Sequence, residues 1–572
     1  MDASTKTGET VAEAYLSALY DQGIRHVFAN GGTDFAPIIE ALVRTSDAGR
    51  QVPDFITVPH ENVAMGMASG YYSVTGRPAA VMVHVTVGTA NALCGIMNSY
   101  RGRIPILLAA GRTPLTETGH PGSRDIGIHW SQETFDQASM LRDYVKWDYE
   151  LRAGQPVATI VGRALDIAMS EPKGPVYLTL PREVLGNESL DPGPRRRDRE
   201  LGATPPAPSM EALERAADMI AGAERPLIVG GYADQSAEAF FALAELAETH
   251  AIAVAPGRDS TLPSSCPMNL GMASPALLEW ADCIIVLDAP VPWTPSTAAP
   301  KPDTKQIHIG SDPLFSTYPF RGYEMDLTIT GSAGQTLPLL NDVLSTKLGK
   351  KSAAVDKRRA EILEMRQNVE AGRAKILSQA QSSTPIHPAW VAKCINDVKS
   401  ADTIISNELG VPGAFLDLDQ PGCLLGGGGS AGGLGSSIGA ALGAKLGAPD
   451  RQVITAVGDG SYMFNVPSAC HFVARAENLA TLTIINNNSE WFAVRRATTA
   501  MYPEGRAAKS NTLPVVNLTP SPNYEKIVEA VDGYGEKVEA PEDLPGAMER
   551  GLKAVADGNP AVLNVLTQAG GR

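Results

Sequence analysis

The chain has 572 residues, 44% hydrophobic and 19% charged, with 63 acidic against 48 basic side chains and a net charge of −15. That length predicts about three or four domains, each with its own core, and the acidic balance excludes the basic face of a nucleic-acid binder. Six cysteines without a Cys-x-x-Cys pair exclude a disulfide framework and point to a reduced, cytoplasmic chain; no uninterrupted apolar run reaches the ~18 residues of a membrane span.

Residues 10–22 read as an amphipathic helix and 26–29 as a strand ending in the turn Asn30-Gly31-Gly32. Strand and helix then alternate: strand 55–58, small-residue helix 64–74, strand 79–84, helix 90–100, strand 104–110, and a closing apolar run at 174–181. This alternation with short turns implies a parallel sheet covered on both faces. The Pro-rich stretches 192–197 and 205–208 read as a linker. A second α/β unit has strands at 226–229, 251–255, 283–287 and 305–309 and runs to about residue 344. Residues 347–381 read as a charged helical connector, broken by Pro385 and Pro388. A third unit has strands at 403–405, 453–457, 482–485 and 561–566. The expected fold class is α/β, with three doubly wound parallel-sheet domains at 1–190, 205–345 and 385–572.

The sharpest chemical signal is Gly458-Asp459-Gly460-Ser461, placed after one strand of the third unit, with Asn486-Asn487-Asn488 at the end of the next. Ligands of open α/β sheets bind at the carboxyl ends of strands. Gly458 and Gly460 let the backbone approach a phosphate, Ser461 offers a hydroxyl, and the helix that follows presents its N-terminus to an anion. Asp459 and an asparagine amide suit Mg²⁺, which keeps phosphate oxygens among its ligands; the pattern leaves the register among Asn486, Asn487 and Asn488 open. Val58-Pro59-His60-Glu61 puts a carboxylate at a strand–helix junction. Ala64 stands where an H-E-x-x-H zinc site needs its second histidine, which excludes that reading. Ser430-Ala431-Gly432-Gly433-Leu434-Gly435 leads into a Gly/Ala-rich helix. The G-x-G-x-x-G and G-x-S-x-G patterns that overlap it at 427–432 lack a clear preceding strand.

These three features, in this order, resemble those of the thiamine-diphosphate (ThDP) enzymes of the acetolactate synthase, benzoylformate decarboxylase and pyruvate decarboxylase superfamily, over nearly the whole chain. The resemblance implies a pyrimidine-binding domain (1–190), a central Rossmann-like domain (205–345) and a diphosphate-binding domain (385–572), with ThDP and Mg²⁺ as cofactors. It implies that Glu61 faces the aminopyrimidine and promotes the C2 ylid, the cofactor's carbon nucleophile. Alignment with the family's decarboxylases implies Asp459, Asn488 and the Glu490 carbonyl as metal ligands. Asn407, Gly432, Leu434, Gly458, Asp459, Gly460, Ser461 and Asn488 are the implied cofactor contacts, with Leu434 propping the cofactor in its bent form.

Local likeness is to benzoylformate decarboxylase, at 145–150, 174–178 and 431–435. His84 takes the place of that enzyme's first active-site histidine, a proton carrier, and Thr33 falls near its substrate-contacting serine. There are two departures. The stretch 289–295 has no histidine where the decarboxylase has its second, and 489–496 carries Glu490 and Trp491, expected at the substrate cavity. Glu490 is also a candidate acid–base group, and 497–514 a candidate lid.

The implied function is a ThDP- and Mg²⁺-dependent C–C bond lyase, in its most specific form a 2-oxo acid decarboxylase working through the ylid and an enamine. The alternatives are an acetolactate-synthase-like carboligase, a 2-hydroxyacyl-CoA lyase, and an inactive ThDP-binding homologue, against which the intact Glu61 and Asp459 stand. FAD or ADP occurs in the central domain of some branches, and no motif here specifies either. The implied partners are a small 2-oxo acid or acyl substrate and further copies of the chain, a homodimer at least and commonly a homotetramer, with no nucleic acid and no membrane.

Overall fold

The structure is a computed structural model that describes residues 8–190, 199–230, 236–257, 261–349, 352–425 and 431–569. The linker stretch 192–197 and residues 427–430 of the glycine-rich patterns lie outside the described residues.

Three separate sheets organise the chain. The first contains β1 (His26–Ala29), β2 (Asp54–Thr57), β3 (Ala79–Val83), β4 (Ile106–Arg112), β5 (Asp148–Glu150) and β6 (Val176–Pro181), in the order β2-β1-β3-β4-β6-β5. The second contains β7 (Pro226–Gly230), β8 (Ala253–Ala255), β9 (Cys283–Leu287), β10 (Lys305–Gly310) and β11 (Leu327–Thr330), in the order β11-β10-β9-β7-β8. The third contains β12 (Ile404–Glu408), β13 (Leu424–Leu425), β14 (Val453–Gly458), β15 (Leu482–Asn487), β16 (Tyr534–Val538) and β17 (Ala561–Leu566), in the order β13-β12-β14-β15-β17-β16. Every pairing within these sheets is parallel. The interior strands are mostly buried, β3 and β9 wholly so, as helices on both faces require. The charged connector is one helix, Ser352–Ala380.

The strand orders place two switch points. In the first sheet the chain runs from β1 outward to β2 and returns on the other side of β1 as β3. In the third sheet it runs from β12 to β13 and returns as β14. Crevices outside the carboxyl ends of strands at such points are the ligand sites of open α/β folds.

The first and third sheets are joined by two helices, Glu61–Thr75 and Ser437–Gly447, and one apolar cluster runs through both units, from Val63 and Met67 to Ile438 and Leu442. Small residues bring the two backbones together. A Cβ on Gly70 would lie 1.9 Å from the Ala440 carbonyl oxygen, and one on Gly443 1.9 Å from that of Met67. The "small-residue" character of both helices is therefore a packing requirement of this crossing.

Candidate active site

Thr33 and Asp34 follow the β1 turn, and His84 follows β3, so all three stand at the first switch point. Asp34 is buried at 2% exposure, and its Oδ1 lies 2.5 Å from His84 Nδ1. The other ring nitrogen of His84, Nε2, is 3.3 Å from the Gln132 side-chain amide. His84 is held above its ordinary titration range, chiefly by the hydrogen bond to Asp34, against the opposing effect of burial. Thr33 is exposed, and its carbonyl accepts from the Arg182 guanidinium.

Glu61 opens the helix Glu61–Thr75 beyond β2, where His60 caps the helix by accepting from the Asn62 N–H. The Glu61 side chain is buried and its Oε2 accepts from Asn91 Nδ2 at 3.2 Å. Glycine at 88 keeps that side open, since a Cβ there would come within 3.2 Å of Glu61 Oε1.

The second group lies at the switch point of the third sheet. Gly458 ends β14, and Asp459, Gly460 and Ser461 form the first turn of the helix Asp459–Phe464, all three buried. Asp459 Oδ2 is buried without a hydrogen-bond partner. Burial pushes the carboxyl up to about 6, with the Glu490 carboxylate adding to it, while the backbone N–H groups of Gly460 and Ser489 pull it down. A buried carboxylate oxygen with no partner is costly and is the donor a hard cation uses.

The three asparagines at the end of β15 have different hydrogen-bond partners. The Asn487 amide donates to Ser521 and Asn564 and its Oδ1 accepts from Ser489. Asn486 donates to the Gly410 carbonyl and its Oδ1 is buried without a partner, whereas Asn488 is half-buried and accepts from the Glu490 N–H at 3.0 Å. Among the described residues no group of three or more His, Cys, Asp or Glu side chains forms a metal cage. The oxygen donors here suit a cation shared with an anionic ligand.

The Glu490 carboxylate is bound by Arg495 from two sides, with Nε 2.7–2.9 Å and Nη2 2.7 Å from it, and Arg495 also donates to Asn511. Its backbone carbonyl accepts from the Phe492 N–H. The Trp491 ring covers Gly460 so closely that a Cβ there would lie 2.2 Å from it. The helices Phe492–Met501 and Arg506–Ser510 continue outward with no buried residue.

The 431–435 loop is suspended from both units. The Asn98 amide donates to the Gly433 carbonyl at 2.7 Å, and that of Asn62 to the Gly435 carbonyl at 2.8 Å. Buried Glu408, at the end of β12, accepts from the backbone N–H groups of Gly435, Ser436 and Ser437. Gly432 has φ +81° and is exposed, and Leu434 is half-buried. The Asn407 amide is committed to Val411, which its two ends bond through N–H and carbonyl.

The fold thus assembles two clusters: Thr33, Asp34, Glu61, His84 and Gln132 on one edge, and Asp459, Asn486, Asn488, Glu490 and Trp491 on the other. No hydrogen bond among the described residues joins them within one chain. Asp34, Gln132, Asn62, Asn98, Glu408 and Arg495 carry no motif and escaped sequence reasoning.

Three family profiles match the chain: the thiamine pyrophosphate enzyme N-terminal TPP binding domain over residues 9–140, the central domain over 213–340, and the C-terminal TPP binding domain over 411–565. The acetolactate synthase large subunit of Mycobacterium tuberculosis is 27% identical over 99% of this chain and 98% of its own length. The 2-hydroxyacyl-CoA lyase of Oryza sativa is 24% identical over 99% and 95%. Among solved structures, the thiamine diphosphate-dependent 4-hydroxybenzoylformate decarboxylase of Rhodococcus jostii superposes with a TM-score of 0.75 at 22% identity, covering 98% of this chain and 99% of that one. The benzoylformate decarboxylase of Polynucleobacter necessarius gives 0.76 at 18% identity, covering 98% and 99%.

Proposed function

We propose, from the premise that the chain belongs to the thiamine pyrophosphate enzyme family, that it is a ThDP- and Mg²⁺-dependent enzyme that cleaves the C–C bond between the carbonyl and the carboxylate of a 2-oxo acid. The observation that carries this reading is Asp459: a buried carboxylate with one oxygen unpartnered, at the head of a helix, with the Ser489 backbone and Glu490 beside it. Asp459, the Asn488 amide and the Glu490 carbonyl would hold the cation, and the backbone of 458–461 with the N-terminus of the 459–464 helix would hold the diphosphate. Gly432 and Leu434 would meet the aminopyrimidine on the loop that Glu408, Asn62 and Asn98 fix. When bound, ThDP supplies a carbon nucleophile and an electron sink.

The chain's own residues supply the rest. Glu61, held by Asn91, exchanges the proton that activates the cofactor. His84, standing beside Thr33, gives and takes protons on the substrate side. Trp491 walls the cavity. Arg495 neutralises Glu490 and ties it to the outer helices, which favours a positioning role for that side chain over proton transfer. The same reading takes at least a homodimer as the working unit, the first cluster of one copy serving the second cluster of the other.

The relatives named acetolactate synthase support a second reading, carboligation by the same residues, which product analysis separates from decarboxylation. The proposal is tested without knowledge of the substrate by following hydrogen–deuterium exchange at C2 of bound ThDP by NMR after acid quench. Wild type should exchange rapidly, and Glu61→Gln should bind ThDP yet exchange at least about 10²-fold more slowly, the lower bound of a positioned acid–base group. Equal exchange rates in the two proteins would remove Glu61 from its role.

A further inference from the structure

We infer that Asp34 is a positioning residue that locks His84 as the Nδ1–H tautomer and leaves its Nε2 as the proton-exchanging atom at the carboxyl end of β3. This rests on the reading of His84 as a proton carrier given above.

The geometry leaves few alternatives. Asp34 is 2% exposed and its Oδ1 lies 2.5 Å from His84 Nδ1. An ionised carboxylate only accepts hydrogen bonds, so the proton between them belongs to the ring nitrogen. On the other side the Gln132 side-chain amide nitrogen is 3.3 Å from Nε2. An amide NH₂ only donates, so it requires an unprotonated Nε2 in the neutral ring. Both neighbours therefore select the same tautomer. A carboxylate on one ring nitrogen sets the state of the other and stabilises the imidazolium when it forms.

The surrounding chain is shaped to this pair. A Cβ on Gly111 would lie 1.8 Å from Asp34 Oδ2, and one on Gly32 2.1 Å from His84 Nδ1. Val85, immediately after His84, has φ +29°, a left-handed backbone that a β-branched residue adopts only under strain. Its N–H faces Asp34 Oδ2 at 3.5 Å. Such strain persists where the surroundings over-determine it, and it concentrates at functional sites. The titratable groups that face His84 are Asp34 from the β1 turn, Glu61 from the helix beyond β2, and His129 from the short helix Ile128–Ser131; the two carboxylates both favour the charged ring.

The test uses the holoenzyme with ThDP and Mg²⁺ and ring-labelled histidine. The chain has nine histidines, and His84→Asn identifies the signal. In wild type above the titration range, the ¹⁵N shifts should report Nδ1–H; Nε2–H there overturns the inference without any substitution at Asp34. Asp34→Asn, which preserves shape but puts a donor against Nδ1, should move the His84 titration to lower pH and leave the other histidines in place. CO₂ release from pyruvate and benzoylformate supplies the second readout. Asp34→Asn should lose on the order of 10²-fold in turnover, and the pair Asp34→Asn/His84→Ala should lose no more than His84→Ala alone, because Asp34 acts through His84. Additive losses mark Asp34 as merely structural and refute the inference. A His84→Ala variant with full turnover refutes the proton-carrier reading instead, while the tautomer measurement still decides the lock.

Discussion

Glu408 offers the strictest test of how the 431–435 loop is held. Its Oε1 accepts from the Gly435 N–H at 2.6 Å, and its Oε2 accepts from Ser436 at 3.1 Å and Ser437 at 2.9 Å, with the Asn465 amide at 3.4 Å. These are the donors that the start of the helix Ser437–Gly447 would otherwise leave unpaired. Burial pushes the carboxyl up, and the backbone donors pull it down. With a donor facing each oxygen, a carboxyl proton would have nowhere to bond. Glu408→Gln keeps the shape and turns one oxygen into a donor. Placed at its least damaging position, the new NH₂ faces the Gly435 N–H. One charge-assisted bond is lost, about 1.5–3 kcal/mol, and a buried N–H is left unpaired, about 1–3 kcal/mol. The attraction between the charge and the helix N-terminus also goes. We predict about 4 kcal/mol of destabilisation, a large share of the ~5–15 kcal/mol that a folded protein has. The assay is urea unfolding, read as a lower midpoint at unchanged slope, with ThDP affinity falling in parallel because the same carboxylate hangs the 431–435 loop. A shift equivalent to less than about 0.5 kcal/mol, the ordinary range for surface changes, would mean that Glu408 does not hold the 431–435 loop.

Gly70→Ala should drive a Cβ into the Ala440 carbonyl, which as backbone cannot rotate away; we predict a loss of about 3 kcal/mol or more in chemical denaturation, and an unchanged midpoint would mean the two helices are not in backbone contact. The Asp459 carboxyl, pushed by burial to about 6, is raised, so in the cation-free protein its stabilising contribution is present below its unfolded value of 3.8 and is lost as pH rises through about 6. A cation binds only the ionised form, so Mg²⁺-dependent ThDP affinity should fall as pH drops through about 6 and level off above it; calorimetric affinities flat from about pH 5 to 8 would contradict that assignment.

The fold was largely legible, and the strands that were missed share one physical cause. The interior strands are short apolar runs, and their positions match the expected ones to within a few residues, as with β9 at Cys283–Leu287 and β17 at Ala561–Leu566. The overlooked strands, β5, β11, β13 and β16, are all edge strands. Edges are short or carry charge, as Asp148–Glu150 and Tyr534–Val538 do, because they face solvent and must resist further pairing. The helix expected at 90–100 is instead two, Val85–Asn91 and Leu93–Arg101.

Glu61, His84 and Asp459 were singled out because each sits in a local pattern at a strand end, and the structure places each at such an end. Their partners were not singled out. Asn98 reaches Gly433 across 335 positions, and His84 meets Asp34 across 50, pairings that only the sheet order creates. The asparagine register was undecidable for a similar reason: three identical residues carry no signal, and only their hydrogen-bond partners in the fold tell them apart.

The activity proposed for this chain is cleavage of the bond next to a 2-oxo group. The most direct measurement incubates purified protein with ThDP, Mg²⁺ and a panel of aliphatic and aromatic 2-oxo acids, with 2-hydroxyacyl-CoA thioesters alongside, and follows CO₂ and products by mass spectrometry. The expected products are CO₂ and an aldehyde or acyloin from at least one 2-oxo acid, abolished by Asp459→Ala. Thioester cleavage without CO₂ release, or no turnover on any member despite tight ThDP binding, would contradict the proposed activity.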